Sequence, residues 1–258
     1  MEYFINRSGL RLAFKISVKY PDDKNIYIVP SMKPSEVFLL PDFIREHINA
    51  NVFMLDLTGN GQSQGEHGLA GYGRDADDID DAVKFLVLRG YTVLGIIGCS
   101  RYGTSAIHYA ALYGEVKTII AVAPKYHLID FPEFIQRNFE SIRNGNEVVF
   151  MAFGREWKFN KEMMDELINT NMKDYCERAK GDIYIIYGEL DEYIPVSDAS
   201  DYARELKEKC KGCYALNCDH FFMGVFDEVM EIIEKLYLKI KNIYYLNFSK
   251  INLFNLLS

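Results

Sequence analysis

The sequence predicts a mixed α/β protein built on one mostly parallel sheet with helices on both faces. Short β-rich apolar segments alternate along the chain with amphipathic helical segments, the pattern of strands joined by helical crossovers. The 258 residues, 49% of them apolar, suffice for one large core but are few for two. Neither an internal repeat nor a low-complexity linker divides the chain. We therefore expect a single domain over residues 1–258.

The first part of the chain predicts a hairpin and two parallel strands. Alternation in RLAFKISVKY, after the turn at Ser8 and Gly9, indicates one arm of an antiparallel hairpin. The segments NIYIVP and NVFMLDL indicate buried strands, and SEVFLLPDFIREHI between them has helical spacing. The glycine-rich loop DLTGNGQSQGEHG follows the second strand.

Two further helices and two further strands follow this loop. RDADDIDDAVKFLVLRG predicts an amphipathic helix that ends at Gly90, with acidic residues in its first turn, where the helix dipole favours them. TVLGIIG predicts a strand, and TSAIHYAALYG predicts a helix whose alanines permit close packing. KTIIAVAP predicts the next strand.

The alternation breaks at residues 125–180, which are rich in large aromatic side chains and methionine. Such an insertion predicts either a cap over the strand ends or additional core helices. For the cap, we expect Tyr126, Phe153 and Trp157 to contact a substrate. GDIYIIY and CYALNC then predict two more strands, and DEVMEIIEKLYLKI predicts a final helix. The apolar and aromatic tail, residues 242–258, has no assigned role.

Charge and composition exclude several classes of protein. The net charge is −8 and neither end carries a run of lysine or arginine, which argues against nucleic-acid binding. No apolar stretch approaches the length of a membrane span, and charged residues interrupt the N-terminal segment where a secretory signal would be apolar. We therefore expect a cytoplasmic protein. Its five cysteines, odd in number and irregularly spaced, predict reduced thiols.

Ser100 lies where a strand passes through a tight turn into a helix. This arrangement places a serine at the carboxyl edge of a sheet, with the next backbone N–H facing a developing oxyanion. The expected pattern is G-x-S-x-G; Gly98 and Ser100 match it, but Tyr102 replaces the second glycine and Gly103 follows one place later. The alternative is that Ser100 is only a turn residue.

A nucleophilic serine needs a base and a group that orients the base. Asp191 follows one predicted strand and His220 follows the last, so both would reach the sheet edge that carries Ser100. Glu189 and Glu192 are rival acids. Cys99 is a rival nucleophile, but its neighbours at the crowded positions of the turn would then be large, and a small buried core residue is the better interpretation.

Cys210, Cys213, Cys218 and His220 together suggest a zinc set. If Cys213 to Cys218 is an extended strand, its ends lie about 15 Å apart at about 3.3 Å per residue, too far for one ion. We therefore expect no metal.

The ordered segments between Ser8 and Leu238 resemble the α/β-hydrolase superfamily, in the branch of monoacylglycerol lipases, serine aminopeptidase-like proteins and feruloyl (cinnamoyl) esterases. DLTGNGQSQGEHG is similar to that branch's D-x-x-G-x-G-x-S loop. GELDEYIP is similar to its G-x-x-D-x-x-V-P segment, which gives Asp191, and CDHFF is similar to the segment that gives His220.

The resemblance implies a serine hydrolase that cleaves a small-molecule ester through an acyl-enzyme and needs no cofactor. Ser100 is then the nucleophile, His220 the base and Asp191 its orienting acid. These relatives carry His-Gly after the strand that here contains IYIV, whereas this chain has PSMKP, so the backbone N–H groups of Met32 and Arg101 are the expected oxyanion donors. GCSRYG also resembles the G-C-S-R-x-G turn of glucuronoyl esterases, which implies a supporting role for the Arg101 side chain.

Two alternatives remain at this point. The same three residues would serve an acyl thioesterase or acyltransferase. The missing His-Gly and the substitution at Tyr102 also fit a weakly active or non-catalytic hydrolase-fold binding protein. The sequence predicts no oligomeric state.

Overall fold

The computed structural model describes residues 1–31, 39–131, 133–152 and 155–239, which form a mostly parallel sheet with helices on both faces. The predicted fold class is therefore confirmed. The strands are β1 (Glu2–Ile5), β2 (Arg11–Ser17), β3 (Asn25–Ser31), β4 (Asn51–Asp56), β5 (Thr92–Cys99), β6 (Thr118–Val122), β7 (Val148–Ala152), β8 (Arg155–Phe159), β9 (Asp182–Gly188) and β10 (Cys210–Leu216).

The helices follow the alternation that the sequence predicts, except around the insertion. They are α1 (Leu40–His47), α2 (Tyr72–Leu88), α3 (Arg101–Leu112), α4 (Glu133–Gln136), α5 (Phe139–Arg143), α6 (Lys161–Asn169), α7 (Met172–Arg178), α8 (Val196–Leu206) and α9 (226–239). No helix among the described residues is long and apolar enough to cross a membrane.

In the described part of the chain the main sheet has eight strands in the order β1-β2-β4-β3-β5-β6-β9-β10. β1 and β2 form the predicted antiparallel hairpin, and β2 also pairs antiparallel with β4. The strands from β4 to β10 in this order are parallel. Their carboxyl ends therefore lie at one edge, where loops from several strands can form a site.

Alternate side chains of the parallel strands feed two hydrophobic cores, one on each face of the sheet. Ile26 and Ile28 of β3 belong to the core under α2, α3 and α8. Tyr27 and Val29 belong to the core under α1 and α9. The sheet is thus covered on both sides, which explains the nearly continuous apolar runs in its strands.

Residues 125–180 contain α4 to α7 and a separate two-stranded antiparallel sheet, β7–β8, among the described residues. These two strands are not predicted from the sequence. Part of the insertion packs in the helical layer, since the Tyr175 ring of α7 stacks on His108 of α3 at 3.8 Å. Burial lowers the pKa of His108 to about 3, so its ring is neutral in this packing. The C-terminal tail, residues 242–258, lies outside the described residues.

Candidate active site

Ser100 sits in a strained turn between β5 and α3. Its φ is 53° and its ψ is −126°, a backbone conformation that non-glycine residues rarely adopt. The strand and the helix approach closely here: a Cβ at Gly98 would lie 2.1 Å from the backbone oxygen of Tyr102. A Cβ at Gly103 would lie 3.1 Å from the oxygen of Gly98. This geometry lifts the Ser100 side chain to the carboxyl edge of the sheet.

Gly103 explains how the turn accommodates Tyr102. Gly103 faces the end of the strand, where space is tight, while the Tyr102 side chain is buried in the core under α3 and is 2% exposed. The large residue therefore points away from the crowded contact. The G-x-S-x-G spacing is shifted by one residue, but the close approach that requires small residues is kept.

We expect Gly98→Ala to destabilise the protein by about 2 to 3 kcal/mol, because the new methyl group meets backbone atoms that cannot rotate away. Gly73→Ala is the matched control: Gly73 lies inside α2 with no atom within 4 Å of the added Cβ, so alanine should stabilise the helix by about 0.5 to 1 kcal/mol. Urea unfolding of both variants measures the difference. Equal stability of the two variants would contradict the close approach at Gly98.

The structure brings Ser100, His220 and Asp191 into one hydrogen-bonded row. The Ser100 Oγ lies 3.0 Å from His220 Nε2, and His220 Nδ1 lies 2.7 Å from Asp191 Oδ2. The other carboxylate oxygen of Asp191 accepts the backbone N–H groups of Tyr193 and Ile194, both at 2.8 Å. The imidazole and the carboxylate are nearly buried, with side-chain exposures of 5% and 1%.

The three side chains come from loops after different parallel strands. Ser100 follows β5, Asp191 follows β9, and His220 follows β10. The loops of the last two meet closely, since a Cβ at Gly188 would lie 2.5 Å from the backbone oxygen of Cys218. The rival acids Glu189 and Glu192 are exposed, and the carboxylate paired with His220 is that of Asp191.

Cys99, the rival nucleophile, lies at the end of β5 and is 3% exposed. Burial raises the pKa of its thiol to about 12. A thiol is nucleophilic as the thiolate, so Cys99 is unreactive near neutral pH. It behaves as a small core residue, as the sequence indicates. In the described part of the chain, no group of three or more His, Cys, Asp or Glu side chains is arranged to hold a metal ion.

The expected oxyanion donors are only partly within the structure. Met32 lies outside the described residues. Arg101 is the first residue of α3, so its backbone N–H has no acceptor within the helix and adjoins Ser100. The residue before Met32 is held firmly, because Ser31 Oγ donates a 2.9 Å hydrogen bond to buried Asp56, which also accepts the Gln62 N–H at 3.0 Å.

The Arg101 side chain is bound elsewhere than the sequence analysis expects. Its Nε donates to Asp75 Oδ2 at 3.0 Å, and its two terminal nitrogens donate to the backbone oxygens of Leu69 (2.7 Å) and Ala70 (2.6 Å). The guanidinium also stacks over Tyr72, 4.6 Å from the ring centre. The two terminal nitrogens thus tie the backbone before α2 to α3, and Nε ties Asp75 of α2 to it. The contacts show that the Arg101 side chain anchors this part of the cavity wall.

A cavity of about 630 Å³ opens beside Ser100 and His220. Most of its wall is apolar, with charged side chains at a few places. The other described residues that line it are Leu69, Tyr72, Arg101, Lys125, Leu128, Asp130, Phe131, Phe150, Trp157, Leu167, Glu192, Tyr193, Ile194 and Pro195.

Of the three predicted substrate contacts, Trp157 of β8 lines the cavity. Phe153 lies outside the described residues. Tyr126 is not among the described lining residues: its ring packs edge-on against Tyr202 of α8 at 5.0 Å, and its neighbour Lys125 lines the cavity instead.

Most of the cavity wall is not predicted from the sequence. Lys125 follows β6 at the same sheet edge as Ser100, and Tyr193 to Pro195 directly follow Asp191. Their position directly after parallel strands is the sequence feature that could have predicted them as lining residues. Asp75, within the acidic first turn of α2, gave no such signal, because exposed and buried acids look alike there.

No protein-family model and no curated protein sequence matches this chain. Solved structures do match. Est1E from Butyrivibrio proteoclasticus with ferulic acid bound has a TM-score of 0.69 at 17% identity, over 94% of this chain and 100% of that chain. The α/β hydrolase GrgF from Penicillium sp. sh18 has a TM-score of 0.72 at 18% identity, over 93% and 97%. The Pyrococcus furiosus esterase Pf2001 has a TM-score of 0.66 at 16% identity, over 92% and 89%.

At these identities the likeness establishes the fold, and function has to be argued from the site. The chain has the α/β-hydrolase fold that the sequence motifs predict.

Proposed function

We propose that this α/β-hydrolase-fold protein is a serine hydrolase that cleaves carboxylic esters through an acyl-enzyme. The observation that carries the proposal is the row from Asp191 through His220 to Ser100, with hydrogen-bond distances of 2.7 and 3.0 Å, at the wall of an apolar cavity. A serine, a base and an orienting acid in this order are the requirements of nucleophilic acyl transfer. The esterases among the solved structures with the same fold support this choice of reaction.

In the first half of the reaction, Ser100 Oγ attacks the ester carbonyl and its proton passes to His220 Nε2. Asp191 accepts the Nδ1–H of the ring, which fixes the tautomer and stabilises the imidazolium. The backbone N–H of Arg101, with that of Met32 as the second expected donor, stabilises the oxyanion. The intermediate then collapses, and the alcohol leaves with the proton from His220.

In the second half, water attacks the acyl-enzyme while His220 takes its proton. The second tetrahedral intermediate releases the carboxylic acid, and the proton returns to Ser100. In each half, His220 takes up one proton and releases one, so the enzyme is regenerated without a cofactor. The short hydrogen bond between the buried His220 and Asp191 side chains stabilises the imidazolium each time the ring takes up a proton.

The cavity wall favours an apolar or aromatic group on the substrate. Phe131, Phe150 and Trp157 provide large flat apolar surfaces beside the reacting serine. The binding of ferulic acid, an aromatic acid, to Est1E is consistent with the same preference. Each methylene buried in such a wall contributes about 0.8 kcal/mol, or roughly fourfold in binding.

Hydrolysis of 4-nitrophenyl esters of increasing acyl length tests this proposal. We expect kcat/KM to rise by roughly threefold to fourfold per methylene from the acetate to the hexanoate, and then to level off as the cavity fills. Added alcohols or thiols should not take the acyl group from the acyl-enzyme in place of water. Formation of a new ester or thioester would indicate an acyltransferase. An absence of turnover at every chain length, in a folded protein, would contradict the proposed activity.

A further inference from the structure

Lys125 is held at the edge of the sheet that carries Ser100. β6 ends at Val122, and the chain turns sharply at Ala123, whose φ of 46° is unusual for a residue with a side chain. The Ala123 N–H donates a 2.8 Å hydrogen bond to Ile186 of β9. Such a strained turn persists only where surrounding contacts hold it, and it brings Lys125 into the cavity wall.

The backbone of Lys125 is fixed to the helix that follows Ser100. Its N–H donates to Thr104 Oγ1 at 2.8 Å, and the same hydroxyl donates to its carbonyl oxygen at 3.0 Å. The Tyr202 hydroxyl donates to this carbonyl at 2.9 Å. Thr104 lies one helical turn after Ser100 and is fully buried, so the distance between Lys125 and the reacting serine is set by rigid elements.

Among the described residues, the ammonium group of Lys125 has fewer acceptors than donors. It donates one hydrogen bond, of 2.8 Å, to the backbone oxygen of Asp130, whereas an ammonium has three N–H groups. Within the described residues, no carboxylate forms an ion pair with it. Burial lowers the pKa of Lys125, against the opposing effect of Asp198, Asp130 and Asp191 nearby. A partly desolvated cation on a residue that lines an apolar cavity, with no ion-pair partner in the described part of the chain, is a suitable place for an anionic group.

The other charges of the wall limit which anion fits. Arg101 is already paired with Asp75, so it offers little further positive charge. The Asp130 and Glu192 side chains line the same cavity and are exposed, and both would repel a doubly charged phosphate. Among the described lining residues, Lys125 is the available cation and Asp130 and Glu192 are acids, which favours a ligand group with a single negative charge over a doubly charged one.

We propose that Lys125 binds a carboxylate of the substrate, so that the preferred ester carries a carboxylate in addition to the bond that is cleaved. The proposal rests on the proposed function, since it names the substrate class for that site. It adds charge selection to a cavity whose apolar wall would otherwise select only by size and shape.

Ligand binding tests this proposal without turnover. Trp157 is the only tryptophan and lines the cavity, so its fluorescence, checked by calorimetry, reports occupancy. The ligands are 4-phenylbutyrate and its uncharged amide, which match in size. We expect wild-type protein to bind the carboxylate about 10- to 100-fold more tightly, and Lys125→Met to lower this ratio to near one. Lys235→Met, which removes an exposed lysine on α9, should keep the wild-type ratio.

Three results would overturn the role of Lys125: a wild-type ratio near one, no binding of the carboxylate, or a ratio that survives in Lys125→Met. If that variant does not fold, Lys125→Gln replaces it, and the wild-type ratio still decides the first two results. Fluorophosphonate labelling of the same preparations tests Ser100 separately. Labelling without carboxylate preference contradicts only the role of Lys125, and preference without labelling supports Lys125 while contradicting the hydrolase.

Discussion

Replacing Ser100 by alanine is expected to reduce kcat/KM toward 4-nitrophenyl butyrate at least about 10⁴-fold while the protein remains folded. The Ser100 Oγ is the atom within 3.0 Å of His220 Nε2, and alanine has no group that can form the acyl-enzyme. Steady-state hydrolysis measures the loss, and thermal unfolding checks that the strained turn survives the substitution.

Two comparisons make the Ser100 result specific. Ser200→Ala removes a hydroxyl from an exposed position of α8 and should leave kcat/KM unchanged. His220→Ala should cost nearly as much as Ser100→Ala, and the double variant should be no worse than either, because the two side chains act as one unit. Turnover by Ser100→Ala at the wild-type rate would exclude Ser100 as the nucleophile.

Replacing Asp75 by alanine is expected to lower the free energy of unfolding by about 3 to 5 kcal/mol. Asp75 and Arg101 form a pair with side-chain exposures of 1% and 10%, and removal of the acid leaves the guanidinium buried without its counterion. Ser105, whose Oγ donates to the same carboxylate at 2.9 Å, loses this hydrogen bond as well and keeps the one to the Arg101 backbone oxygen at 3.1 Å. Urea unfolding measures the change.

The matched control for Asp75 is an ion pair of the same type on the surface. Glu133 and Arg137 have side-chain exposures of 76% and 72%, so Glu133→Ala should change the stability by less than about 1 kcal/mol. We also expect Asp75→Ala to reduce kcat, because Asp75 fixes the Arg101 guanidinium whose terminal nitrogens tie the Leu69 and Ala70 backbone to the helix that follows Ser100. A loss of stability below about 1 kcal/mol would show that the pair does not hold the cavity wall.

The sequence predicts most of the fold because its signals are local. Strands such as β5 are short, nearly continuous apolar runs and helices such as α2 have a clear apolar period, and the alternation of the two kinds of segment predicts a parallel sheet. The antiparallel pair β7–β8 is not predicted, because the insertion is uniformly rich in aromatic residues and shows no clear alternation. For such a segment, tertiary packing decides between helix and strand.

The candidate site was predictable to the extent that it depends on chain order. Ser100, Asp191 and His220 each follow a strand, and a parallel sheet brings such positions to one edge. The sequence could not show where long side chains end. Arg101 turns to Asp75 and the 69–70 backbone, and Lys125 instead of Tyr126 faces the cavity; both outcomes depend on contacts between residues far apart in the chain.

The most direct test of the central claim is intact-mass spectrometry after treatment with a fluorophosphonate, with peptide mapping of the adduct. We expect one adduct per chain, located on Ser100, and labelling that slows at least about 10³-fold in His220→Ala because the base is removed. A folded protein that forms no adduct, or forms it on another residue, would contradict the assignment of Ser100 as an activated nucleophile.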